Sequence, residues 1–170
     1  MSKRLTSAIM LGLLSSSCTF SAPQFEASAR LMERLVSGNV ATAQEPQSTW
    51  LASVGQRGAV LRPYASGGLT IFANADGDAI AFDGWTVRSI IGFGLSSPVS
   101  VAGKDGSRVV TYEGAQTTFY CGAWRLSGLN WGQVCATGDG QITLDDAGNI
   151  HSISMAMGER LGNVTLRVAK

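Results

Sequence analysis

The 170-residue sequence has one histidine and three cysteines, and these scarcities close off whole classes of chemistry. With His151 as the sole imidazole, a serine or cysteine nucleophile has a single candidate base. A zinc site lacks the further Cys and His ligands it needs. His151 itself stands in Ile150-His151-Ser152-Ile153-Ser154-Met155, which alternates apolar and polar residues, so it reads as a solvent-facing strand residue. No apolar run approaches the roughly 20 residues of a spanning helix. Basic residues are scattered singly, without the stripe or cluster that follows phosphates, and nucleic-acid binding is set aside. There is no internal repeat. The close acidic pairs, Asp76 with Asp78 and Asp145 with Asp146, sit in Gly-rich turns, where carboxylates cap turn amides rather than face each other as a glycosidase pair does. The Asp145–Asn149 turn lacks the alternate ligands and distal Glu of an EF-type calcium loop. Gly92-Phe93-Gly94 lacks the strand-to-helix setting of a phosphate loop. The expectation is therefore a protein that is not an enzyme, with no catalytic residue, metal or cofactor.

What is present begins with an N-terminal segment unlike the rest. Lys3 and Arg4 precede a run of about 10 mostly apolar residues, Leu5 to Leu14, and then Ser15, Ser16 and Ser17, which is the layout of a signal peptide over residues 1–17. Leu14-Ser15-Ser16-Ser17-Cys18 is close to a lipoprotein signal, in which the cysteine becomes the acylated N-terminus. Ser15 departs from the Leu, Val, Ile or Ala preferred there, and ordinary secretion is the alternative. Thr19 is not the Asp that retains lipoproteins at the inner membrane, so the expected address is the outer membrane, lipid-anchored and facing the periplasm. Of 13 basic residues, losing Lys3 and Arg4 leaves 11 against 12 acidic ones, and the mature chain is near neutral. With Cys18 committed to lipid, Cys121 and Cys135 remain as an even pair in an oxidising compartment. A disulfide is the economical reading, worth about 3 kcal/mol for a loop of this length; two free buried thiols are the alternative.

From Pro23 to Gly38, Phe25, Ala29, Met32, Leu35 and Val36 recur at helical spacing, with Glu26, Arg30, Glu33 and Arg34 on other faces. This predicts one amphipathic helix, on the sheet or on the membrane; balanced charge and the absence of a basic face favour the sheet. Asn39 to Thr49 reads as a linker, so residues 18–49 hold the lipid cysteine, helix and linker. Over residues 50–170, short runs rich in Val, Ile, Thr and aromatics alternate with Gly, Asp and Asn turns. Twelve strands are expected, among them Trp50–Val54, Ala79–Phe82, Thr117–Arg125, Gly132–Thr137 and Asn163–Val168. The fold class is mainly β: an antiparallel meander forming a barrel or sandwich, with one N-terminal helix.

Four tryptophans punctuate this domain. The ordinary place for Trp in a small β domain is the core. Trp124 fits it, mid-strand between Ala123 and Leu126. Trp85 and Trp131 sit beside glycine at expected strand ends, where rings project into solvent, and are the candidate contact with a glycan or protein partner.

Residue order adds a resemblance. Ala79-Ile80-Ala81-Phe82-Asp83-Gly84-Trp85-Thr86-Val87-Arg88-Ser89-Ile90-Ile91-Gly92-Phe93-Gly94 resembles the strand, turn, strand and Gly-Leu/Phe-Gly segment of the YjbF/GfcB family of capsule and exopolysaccharide lipoproteins. Phe119-Tyr120-Cys121, Val134-Cys135 and Gly148-Asn149-Ile150-His151-Ser152 resemble its paired cysteines and late strand. The likeness spans roughly residues 50–157. The chain is shorter than family members, and Ile153-Ser154-Met155 replaces the Arg-Gln-Trp common after the late Ser. The resemblance implies an outer-membrane lipoprotein, mainly β, that assists polysaccharide production or export by binding polysaccharide or export proteins. A rival expectation is a periplasmic lipoprotein inhibitor of a secreted protease, prompted by Gly122-Ala123-Trp124-Arg125-Leu126, which resembles a Gly-x-Trp-x-Leu motif of small β-barrel inhibitors, although there it lies near the mature N-terminus. A third class, a glycan-cleaving enzyme, needs a cleft with two facing carboxylates.

Overall fold

The computed structural model describes residues 48–103 and 106–169. The signal peptide, Cys18, the helix expected over residues 23–38 and most of the linker lie outside the described residues.

Thirteen strands follow one another: β1 (Trp50–Val54), β2 (Arg57–Ser66), β3 (Leu69–Ala73), β4 (Ala79–Phe82), β5 (Val87–Ile91), β6 (Val99–Ala102), β7 (Gly106–Tyr112), β8 (Ala115–Cys121), β9 (Arg125–Ser127), β10 (Asn130–Gln133), β11 (Gly140–Leu144), β12 (Ile150–Ala156) and β13 (Asn163–Val168). They form one antiparallel sheet in the order β8-β7-β6-β5-β4-β3-β2-β1-β13-β12-β11-β10-β9. The chain thus starts in the middle, meanders to one edge at β8, jumps to the other edge at β9, and meanders back until β13 pairs with β1. Glycine makes the tight reversals. Gly67 and Gly68, with φ of 57° and 79°, both occupy the left-handed region that a two-residue hairpin turn demands.

The jump from β8 to β9 dictates the overall shape. Only residues 122–124 connect the two outermost strands, and four Cα steps reach at most about 15 Å. Thirteen strands laid flat would hold their edges nearly 60 Å apart at the usual spacing of about 4.8 Å. The sheet therefore curls into a half-barrel until its edges meet. The end of β8 meets the residues that follow β10 at an antiparallel bridge between Cys121 and Cys135, flanked by Gly122 N–H donating to Val134 O at 2.8 Å and Ala136 N–H donating to Tyr120 O at 2.9 Å. The two cysteines are thus a directly opposed, non-hydrogen-bonded pair, the closer of the two pair types. They are joined as a disulfide with S–S 2.05 Å.

Inside the curl, alternate residues build the core. Leu61, Ile80, Ile90, Val99, Val164 and Leu166 are fully buried, and the rings of Trp50 and Phe72 meet edge-on at 4.8 Å. Along β1 the burial alternates residue by residue, as a sheet with one solvated face requires.

Two expectations need correction. The strand expected over Thr117–Arg125 ends at Cys121, and Arg125 opens the unforeseen strand β9. The strand expected at Gly132–Thr137 starts at Asn130 and ends at Gln133. The cause is shared: the chain must cross from one end of the sheet to the other over residues 122–124, so one long run becomes a strand, a crossing and a short hairpin.

Candidate binding site

Where the edges meet, three tryptophans come together. Trp85 stands in the turn between β4 and β5, and Asp83 fixes that turn. Its Oδ1 accepts the amides of Trp85 at 2.9 Å and Thr86 at 2.7 Å. Its Oδ2 takes the Arg88 Nε–H at 2.7 Å, and Arg88 Nη1 donates onward to Gly103 O at 2.9 Å. Burial pulls the Asp83 pKa upward, but the Trp85 and Thr86 amides and the Arg88 guanidinium together outweigh it and hold the carboxyl below its ordinary value. Trp131 comes from β10, where it is paired with Ile142 on one side and Leu126 on the other. Its ring meets Trp85 edge-on, with centroids 4.9 Å apart. Trp124, in the crossing between β8 and β9, tilts against Trp85 at 5.9 Å. All three are half-buried and pack against the main core. Glycine at position 140 eases this packing: a Cβ there would lie 3.0 Å from the Trp124 ring, which would have to give by a few tenths of an ångström.

A polar pair lies buried inside the curl. Arg108 is fully buried and Gln133 nearly so. Arg108 Nη2 donates to Gln133 Oε1 at 2.5 Å, and its guanidinium stands 5.9 Å from the centre of the Phe119 ring. Gln133 Nε2 in turn donates to Gly122 O at 2.7 Å. This chain of bonds ties β7 to β10 and to the crossing that carries Trp124. The pair was not foreseen, although a signal existed: Arg108 shares strand parity with Val110, and that parity faces inward.

The expected site residues are accounted for as follows. Trp85 and Trp131 are brought together, but as half-buried rings locked against each other rather than rings free in solvent, and Trp131 lies within its strand rather than at an end. Trp124, expected as a mid-strand core residue, lies outside any strand and joins the same cluster. The crossing of the sheet edges explains both, since it brings Trp124 and Trp131, 39 and 46 positions after Trp85, onto one patch with it. Cys121 and Cys135 hold that crossing closed, and Cys18 lies outside the described residues.

The Asp145 carboxylate accepts the amides of Ala147 at 3.0 Å and Asn149 at 2.8 Å, and these bonds lower its pKa, the Asn149 amide most. His151, on β12, is half-buried. Among the described residues no group of three or more His, Cys, Asp or Glu is placed to hold a metal ion. A shallow cavity of about 240 Å³ lies between β7–β8 and the β12–β13 connection, lined by Val110, Tyr112, Thr117, Met157, Arg160 and Leu161 among others. At its rim Arg160 is bonded to Glu113 at 2.8 Å and stands over the Tyr112 ring.

No family model matches the chain, and no curated protein matches it either. Among solved structures it is similar to the hypothetical lipoprotein YmcC from Escherichia coli (K12), with a TM-score of 0.50 and 11% identity over 86% of this chain and 95% of that one. At that identity the likeness speaks to the fold.

Proposed function

We propose that the chain is a lipid-anchored outer-membrane lipoprotein that faces the periplasm and acts as a non-enzymatic binding or assembly factor in capsule or exopolysaccharide production and export. The observation that carries this reading is the cluster of Trp85, Trp124 and Trp131, three half-exposed rings braced on a rigid framework. Fixed aromatic rings offer flat apolar area at little cost in side-chain entropy, which suits the face of a sugar ring or a protein partner. Two further observations agree with the anchor: the cysteine that closes the signal-like segment, and the fold shared with a protein described as a hypothetical lipoprotein. The resemblance to the YjbF/GfcB family supplies the polysaccharide context. Binding without turnover fits the acidic side chains, since Asp83 and Asp145 already serve turn amides.

The test is complementation of a deletion strain with Trp85→Phe, Trp131→Phe and the double variant, chosen because Phe keeps most of the packing. Expected is wild-type protein level in the membrane fraction with polysaccharide secretion reduced at least several-fold in the double variant. Secretion at wild-type level from the double variant would remove the cluster as the contact.

A further inference from the structure

The sheet carries a second apolar surface on its outer side. Along β3, β4 and β5 burial does not alternate: every residue of β4 is buried, and so are the last three of β3 and of β5. An antiparallel sheet with one face in water alternates instead, as β1 and β13 do. The inward residues, Phe72, Ile80, Phe82 and Ile90, belong to the barrel core. The outward ones, Ile71, Ala73, Ala79, Ala81 and Ile91, form a separate cluster with Tyr64 and Leu69 packed beside it. Register places Ala73, Ala79 and Ile91 in one row and Tyr64, Ile71 and Ala81 in the next. Three alanines side by side make a trough walled by Ile71 and Ile91. The five residues are only 2–7% exposed, yet among the described residues every member of the cluster comes from this one sheet. Burial that deep requires an apolar second layer.

We propose that this layer is the chain's own segment 23–38, docked as a helix with Phe25, Met32, Leu35 and Val36 in the trough. The dimensions agree. Sixteen helical residues are about 24 Å long, matching a patch three strand spacings wide and five residues long, whose diagonal is roughly 22 Å. The linker suffices: ten residues from Gly38 to Ser48 reach up to about 33 Å, whereas β1, where the linker enters, lies about 19 Å from β5. Alanines at the base let a helix backbone approach closely, and the charged positions Glu26, Arg30, Glu33 and Arg34 remain on the outward side. Docking also fixes the domain against its anchor. Residue 23 follows Cys18 by five positions, which limits the barrel wall to within about 18 Å of the bilayer. That consequence rests on lipid attachment at Cys18; the docking itself does not.

The experiment uses the full chain in its membrane, with the photo-crosslinker p-benzoylphenylalanine placed at Met32 or, separately, at Leu35, and at Arg30 as the outward control, which lies opposite the apolar face. After irradiation, peptide mapping should place intramolecular adducts from positions 32 and 35 within residues 64–91, and none there from position 30. Adducts to a second copy, to lipid alone or to other strands would overturn the proposal, and so would the lack of any adduct from both inward positions. Two inward positions guard against one substitution upsetting the fold.

Discussion

Reducing the Cys121–Cys135 disulfide should loosen the tryptophan cluster before it unfolds the barrel. The bond spans 14 positions, and cross-linking a loop of that length stabilises by about 3 kcal/mol through the unfolded chain. For a domain of this size each kcal/mol moves Tm by about 3–5 °C, so the reduced protein should melt roughly 9–15 °C lower. The location of the bond adds a local effect. Among the described residues, apart from the disulfide, the meeting of the two sheet edges rests on two backbone hydrogen bonds, each worth about 0.5–1.5 kcal/mol net, and on the bonds from Arg108 to Gln133 and from Gln133 to Gly122. Between the two cysteines lie Trp124, β9 and β10 with Trp131. Once the bond is cut, this excursion should open with a free energy well below that of the whole domain. Two assays report it: tryptophan emission should shift to the red, and the Gly122 and Ala136 amides should exchange faster, while those of β1 and β13 at the centre of the sheet keep most of their protection. Using a reductant on the wild-type chain changes no other atom. Refutation would be a Tm within about 2 °C of the oxidised protein together with unchanged emission, because the staple would then sit where the fold has no weakness.

Other outcomes follow from the same geometry. Trp85→Ala should cost about 2–3 kcal/mol in urea unfolding, roughly half to two-thirds of a fully buried Trp truncation. A double-mutant cycle with Trp131→Ala should return a coupling of about 0.5–1.5 kcal/mol from the edge-on ring pair; a coupling near zero would deny that the rings brace each other. Asp83→Asn should destabilise at neutral pH. Because the folded Asp83 pKa is lowered, its stabilisation is present above the ordinary carboxylate pKa and is lost as pH falls through the folded value. The gap between wild type and variant should therefore close on acidification, and a gap constant down to pH 2 would contradict the role given to Asp83. Labelling with a radioactive fatty acid should mark the wild type and not Cys18→Ser, and equal labelling of both would sink the lipid anchor.

The meander was legible because its cause is local. Strands such as Trp50–Val54, Ala79–Phe82 and Asn163–Val168 are bounded by Gly, Asp or Asn turns whose backbone geometry is written in one or two residues, and their bounds agree with the structure. The boundaries from 117 to 137 were not legible for a non-local reason. Thr117 to Arg125 reads as one continuous strand, and only the meeting of the two ends of the sheet breaks it at Cys121. The even pair of cysteines pointed to that meeting, but not to which edges it joined. A barrel and a sandwich likewise share one alternating pattern; the three-residue crossing between the outermost strands decides for a single curled sheet.

The site followed the same division. Trp85 and Trp131 stood out by type and by neighbouring glycines, yet their contact is set by sheet closure, which no spacing along the chain encodes. Arg108 is the more instructive miss. A charged residue in a strand is taken as outward by default, since burying an ion without a partner is costly. Its parity with Val110 argued the opposite, and the Gln133 amide that accepts one of its bonds lies 25 positions away. When parity and polarity disagree inside a strand, parity is the firmer guide, because reversing one side chain means slipping the register of the whole strand. A buried partner supplied by tertiary structure can satisfy the polar group in place. The outer trough of Ala73, Ala79 and Ala81 obeys the same rule: a strand that is apolar on both parities announces two covered faces, and the second cover must then be sought elsewhere in the chain.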